Sequence, residues 1–281
     1  DGNITLTAAR AAELKAIYGL DQPLLTRYLH WLGQLLRGDL GFSLQYQIPV
    51  SQLLNQYIWN SFLLASVALV FYWGIGLAVG VVSALRPGSW FDHLVSVAVF
   101  AAMSFPTFFL CLLLIKWFAV DLHWLPVGGM TNTGSDESGW QYVLQVAAHL
   151  ALPVLVLAYY SLASITRLTR SACLSEMNKE YILLARAKGA GEMTILLRHV
   201  LPNIRGTLLT VIALAWTSML EGAVLTETVF SWPGIGRYLT TALFAGDTTA
   251  IMGGTLLIGV SFVLINNLTD LLVRLTDPRV R

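Results

Sequence analysis

Charge is what this sequence has least of. Only 12% of its 281 residues are Asp, Glu, Lys or Arg, against about 25% in a soluble globular domain, and 56% are hydrophobic. That composition argues against a water-soluble fold. Cysteine is nearly absent too: Cys111 falls in a hydrophobic run and Cys173 beside a basic stretch, without the close Cys or His spacing of a metal site or a disulfide framework. The five histidines, His30, His93, His123, His149 and His199, are scattered, so a fixed nickel site is not expected. Also missing are a phosphate-cradling Gly-x-x-x-x-Gly-Lys-Ser/Thr loop, a His-Glu-x-x-His pair and a Gly-x-Ser-x-Gly elbow. No catalytic residue, metal or cofactor is assigned to this chain.

What is present is a set of long uncharged runs. Asn60 to Leu85 holds no charged residue in 26 positions; as a helix it would be about 39 Å long, enough to cross a bilayer with some tilt. Leu94 to Val120 is interrupted only by Lys116, Gly206 to Phe230 by Glu221 and Glu227, and His149 to Thr166 and Thr248 to Val273 complete five spans of an all-α integral membrane protein. Lys116 and Glu227 stand near span ends, where a long side chain reaches the interface. Pro106 should kink its helix, with Ser104 and Thr107 satisfying the freed carbonyls. Gly76 and Gly80 have the small-x-x-x-small spacing of close helix packing.

Loop charges orient the spans. Thr166 to Gly206 carries Arg167, Arg170, Lys179, Arg186, Lys188, Arg198 and Arg205, whereas Asp121 to Ala148 has no Lys or Arg. The positive-inside rule then puts 167–205, the turn 86–93 and the end with Arg274, Arg279 and Arg281 in the cytoplasm, and 1–59, 121–148 and 231–247 outside. With the amino end outside and no leader preceding it, a sixth span before Asp1 is expected. Residues 1–59 read as an external helical region beside a transmembrane domain at 60–281. Thr7 to Gly19 is one helix there, and Asp21 and Pro23 start another whose Leu24, Leu25, Tyr28, Leu29, Leu32 and Leu36 form an apolar stripe.

Inside the basic loop, Ser175 to Lys188 is built of helix formers, Gly189 can end that helix in the left-handed conformation, and Glu192 begins a second helix that Pro202 limits. A DNA-binding helix-turn-helix has a similar outline, but both ends here run into membrane spans, so no nucleic acid is expected. A short cytoplasmic amphipathic helix on a glycine elbow can sit in a groove of a soluble partner and pass motion to the spans.

Glu180-Tyr181-Ile182-Leu183-Leu184-Ala185-Arg186-Ala187-Lys188-Gly189, followed by Arg198-His199-Val200-Leu201-Pro202-Asn203, resembles the EAA loop of binding-protein-dependent ABC importer permeases. Ala185, Gly189, Leu201 and Pro202 fall on the general pattern; Leu183, Leu184 and His199 depart from it toward the peptide and nickel branch. Gly19-Leu20-Asp21-Gln22-Pro23-Leu24, Gly38-Asp39-Leu40-Gly41, the run Glu227 to Arg237 with Trp232, Pro233, Gly234 and Gly236, and Asp277-Pro278-Arg279 are similar to the same branch. The resemblance implies the type I transmembrane-domain fold of an ABC importer, and the B-type permease of a heterodimeric pair. Its implied partners are a second, related permease, two ATPases that bind ATP and Mg, an external solute-binding protein, the lipid bilayer and a short peptide. Glu180, Tyr181, Ala185 to Gly189, Arg198, His199 and Leu201 to Asn203 would then be the ATPase-coupling residues, with Ala185 in the docking face.

Glu221 lies deep in its span and needs a partner, a water-filled cavity or an interface. A pathway role, a structural hydrogen bond and a shallower position all remain open. Asn266, Asn267 and Asp270 are candidates for an inner vestibule or for helix-helix hydrogen bonds. A nickel or glutathione importer of the same family is the alternative function. From another class, a stand-alone secondary transporter or channel lacks the internal repeat and paired broken helices often seen there, and a membrane-embedded enzyme lacks paired catalytic groups.

Overall fold

The computed structural model describes residues 22–134 and 137–276. The helix expected over Thr7 to Gly19 and the Asp277-Pro278-Arg279 end lie outside those residues. Among the described residues every regular element is a helix, and the one extended pairing is an isolated antiparallel bridge between Phe42 and Pro49.

Helix α1 (Leu24–Leu36) buries none of its residues fully and leaves Leu24, Leu25, Tyr28, Leu29 and Leu36 of its apolar stripe bare, with Leu32 half-buried. A turn built on Gly38 (φ +79°) and Gly41 (φ +80°) leads to α2 (Val50–Leu85). At 36 residues, α2 is about 54 Å long, well beyond the ~30 Å apolar thickness of a bilayer. It starts at Val50, directly after Pro49, because no breaker separates Val50 from Asn60. The boundary at residue 60 therefore marks a change of composition within one helix.

The second expected span is not one helix. It divides into α3 (Trp90–Ser104) and α4 (Thr107–Leu114), with Phe105 and Pro106 extended between them and a π-helical stretch from Ile115 to Asp121. Pro106 breaks the helix outright, since its ring disfavours helical geometry at Phe105. Ser104 Oγ donates to the Phe100 carbonyl of its own helix at 2.9 Å.

Helix α5 (Trp140–Met177) continues without interruption through Pro153 and into the basic stretch. After it come α6 (Glu180–Ala187), α7 (Glu192–Ile195), α8 (Leu201–Val229), α9 (Ile235–Ala245) and α10 (Thr248–Thr276). Four helices are long and apolar enough to cross a membrane among the described residues: Val50–Leu85, Trp140–Tyr159, Glu192–Ile212 and Thr248–Leu271.

Helices α2 and α5 pack along each other more extensively than any other pair. Glycine makes this possible. A Cβ at Gly76 would come within 2.1 Å of Ile165 Cγ2, and one at Gly80 within 2.7 Å of Thr169 Cβ and 2.8 Å of the Thr166 carbonyl oxygen. Around this seam the main core gathers Leu64, Tyr72, Ile165, Cys173, Ile182, Ile195, Val200 and Trp232.

Overpacking of a close contact costs about 1–3 kcal/mol, so Gly80→Ala should lower the thermal unfolding temperature of the detergent-solubilised protein. Gly74 has nothing within 4 Å of its virtual Cβ, and Gly74→Ala should leave that temperature unchanged or raise it through helix propensity.

Candidate functional site

The basic stretch folds into pieces that meet at one end of the bundle. A single helix over Ser175 to Lys188 does not form: α5 stops at Met177, Asn178 caps it, and Lys179 is extended (φ −78°, ψ 148°) before α6 begins. Side-chain bonds fold the chain back there. Tyr181 OH donates to the buried Glu176 carboxylate and accepts from Asn203 Nδ2 at 3.1 Å, and Lys179 Nζ pairs with Glu176 at 2.7 Å. α6 is thereby tied to the end of α5 and to the first turn of α8.

Beneath α6, Ile182 is fully buried against the core. Ala185 is half-buried and packs on the same core, so it does not belong to the bare face. That face is carried by Leu183 and Leu184, 57% and 56% exposed; beyond the elbow Met193 and Leu197 are bare as well. Ala187, Lys188 and Arg198 are exposed as well.

Gly189 stands at φ +83° with open space around it, so the left-handed backbone, and not crowding, demands glycine. Across this elbow Arg186 Nε and Nη2 reach the Glu192 carboxylate at 2.8 and 3.0 Å. Pro202 does not limit the second helix. The chain stays helical from Glu192 to Val229 because Leu196–Val200 widens into a π-helical turn just before the proline, accommodating its ring and missing N–H. Asn203 Nδ2 also donates to the His199 carbonyl at 2.6 Å, while the His199 ring sits 6.4 Å from that of Tyr181.

One feature here escaped the sequence reading. Arg170, counted there only as a loop charge, lies on α5 and grips Asp92 with two bonds of 2.6 Å, Nε to Oδ1 and Nη2 to Oδ2. Asp92 is 3% exposed and also accepts from Ser83 Oγ and, at 3.0 Å, from the Gly88 amide. The Arg170 bonds hold its carboxyl well below the usual carboxylate range; burial opposes this, and the Ser83 and Gly88 bonds add to it. The available sequence signal was Ser89, whose hydroxyl caps α3 by accepting from the Asp92 amide.

At the opposite end, the motif residues Glu227, Trp232, Pro233, Gly234 and Gly236 come together in one lock. Glu227 does not reach out to an interface: it is 0% exposed. Its carboxylate accepts from Ser61 Oγ at 2.6 Å and from the amides of Gly236 and Arg237 at 2.7 and 3.2 Å, capping the N-terminus of α9. A Cβ at Gly234 would meet that carboxyl group at 2.3 Å. Trp232 Nε1 donates to the Asn60 carbonyl and Asn60 Nδ2 to the Pro233 carbonyl, pinning the turn to α2.

Nearby, buried Asp247 accepts from Ser43 Oγ at 2.5 Å and from the Ala250 amide at 3.1 Å, joining the segment before α2 to the start of α10. Asn267 bonds to its own helix, at the Val263 carbonyl, and Asn266 is half-buried. Glu221 lies within α8, and its side chain is outside the described residues.

The sequence profile of the binding-protein-dependent transport system inner membrane component family matches residues 76–281. The chain belongs to that family. Dipeptide transport system permease protein DppB of Escherichia coli K12 is 35% identical over 299 residues, covering 100% of this chain and 88% of that protein. The di/tripeptide transport system permease protein DppB of Pseudomonas aeruginosa is 38% identical over 287 residues, covering 94% and 82%. Among solved structures, a chain of the MetNI methionine ABC transporter in an inward-facing conformation superposes with a TM-score of 0.65 at 21% identity, over 81% of this chain and 97% of that one. The fold is therefore that of an ABC importer transmembrane domain. As an inner membrane component, the chain is a multi-pass permease subunit and not the ATPase, and it works in a system that includes a solute-binding protein and an ATPase.

Proposed function

We propose that this permease forms half of the translocation pathway for short peptides, paired with a second related permease and driven by two ATPase subunits that bind ATP and Mg. Support for the peptide substrate comes from the names of the full-length relatives at 35–39% identity. In this reading 86–93 and 167–205 face the cytoplasm, and α6 is the coupling helix seated in an ATPase.

The observation that carries it is the two-sided character of α6. Ile182 and the Tyr181 network fasten the helix to the bundle, while Leu183 and Leu184 are left bare. Burying one leucine side chain contributes about 1.5–3 kcal/mol. Leu184→Asp should therefore reduce ATPase retention by the purified complex about tenfold or more, and uptake of labelled dialanine into proteoliposomes with it, at an unchanged permease level. Wild-type retention in that variant would remove α6 from the interface.

A further inference from the structure

Seven residues before α5 ends, Arg170 holds the only ionic bridge among the described residues that joins α5 to another membrane helix. Its partner Asp92 sits in the first turn of α3, and besides Arg170 its carboxylate is bonded from the hairpin between α2 and α3, by Ser83 near the end of α2 and the Gly88 amide in the turn, while the Ser89 hydroxyl accepts from the Asp92 amide at 3.3 Å. Ser96 Oγ donates back to the Asp92 carbonyl at 2.8 Å. The turn is thus wrapped around one buried carboxylate, and Arg170 holds the whole unit on α5.

The same stretch of α5 is fastened on its other side to α6. Between Arg170 and the end of the helix, Cys173, Glu176 and Met177 are buried, and Glu176 takes the bonds from Tyr181 and Lys179. The last two turns of α5 are a short rigid lever with α6 at one attachment and the α2–α3 hairpin at the other. A bidentate guanidinium-carboxylate pair fixes orientation as well as distance, which a lysine ammonium does not. Apolar surface would have packed this site without a desolvation penalty, so stability alone does not account for an ion pair there.

We propose that Arg170 and Asp92 are positioning residues of the transport cycle, forming the clamp through which displacement of α6 reaches α3. This rests on the coupling role of α6 stated above. Arg170 touches neither peptide nor ATPase in this role; it sets the angle at which α3 follows α5. Without the clamp, the complex assembles and hydrolyses ATP, but α3 no longer moves in register with the ATPases.

The experiment uses the complete importer in proteoliposomes, with both permeases, the ATPases and the binding protein, and reads labelled dialanine transported per ATP hydrolysed. Arg170→Lys keeps the charge and loses the fork. The double variant Asp92→Asn with Arg170→Met removes both charges and keeps an acceptor oxygen beside Ser83 and the Gly88 amide, so no buried charge is stranded. Both should keep the wild-type ATPase content, and the double variant should lower the transport-to-hydrolysis ratio about tenfold, within the usual range of coupling effects, with Arg170→Lys in between. A ratio within twofold of wild type in the double variant overturns the proposal, even if total uptake falls with the amount of complex. Failure of both variants to assemble would make the pair a folding element and overturn it equally. Failure of the α6 assignment shows separately, as wild-type ATPase retention in Leu184→Asp.

Discussion

Glu227→Ala is expected to unfold the turn between α8 and α9 locally and to lower the protein's overall stability. The carboxylate is fully buried, and its removal strands the Ser61 hydroxyl and the amides of Gly236 and Arg237. Each buried donor left unpaired costs about 1–3 kcal/mol, so the loss should reach about 3 kcal/mol or more. Because α9 loses its N-terminal cap, Arg237 should become a fast tryptic site while cleavage elsewhere stays slow. Glu227→Gln keeps the shape and one acceptor oxygen, and should cost less. Equal melting temperatures for Glu227→Ala and the wild type would show that the lock contributes nothing. Gly234→Ala should mimic the loss, since its methyl group would enter the space of the same carboxyl group.

Gly189→Val is expected to abolish most transport while leaving the spans inserted. Gly189 occupies φ +83°, where a non-glycine residue is strained by about 1–2 kcal/mol and a β-branched one by more. No neighbour lies within 4 Å of a Cβ placed there, so the effect runs chiefly through the backbone. Relief of the strain should turn α6 relative to α7 and weaken the Arg186–Glu192 bridge across the elbow. Peptide uptake by the reconstituted complex should fall at least about tenfold, an angular error at a coupling element acting on every cycle. Gly189→Asn, a residue that tolerates the left-handed region, should retain far more uptake. Equal loss in both variants would mean that conformation at residue 189 is not what matters.

Much of this was legible in the sequence, for identifiable reasons. The basic loop announces itself through local signals, namely helix formers, a left-handed glycine at 189 and a proline at 202, and local signals survive without knowledge of the fold. Helix ends were less legible. Pro202 reads as a stop, yet a single π-helical turn over Leu196–Val200 absorbs it. Lys179 reads as helix interior, yet the bonds of Tyr181 to Glu176 and Asn203 turn the chain there.

Buried charges were least legible of all. Asp92 and Arg170 are 78 residues apart and become a pair only when α2 and α5 close on Gly76 and Gly80. Position near a span end suggested that Glu227 would reach the interface; its burial was hidden because its donors come from Ser61 on one side and from a helix that starts eight residues later on the other. Ala185 reads as part of a docking face from motif position alone, whereas the phase of α6, fixed by Ile182, turns it inward.

The central claim is that the bare face of α6 is the surface the ATPase grips. Photo-crosslinking from single positions in the assembled complex tests it most directly, with a benzophenone probe at residue 182, 183 or 184. The account predicts strong adducts with the ATPase subunit from 183 and 184 and none from 182, whose side chain points into the core. Adducts with lipid or binding protein from 183 and 184, and none with the ATPase, would contradict it.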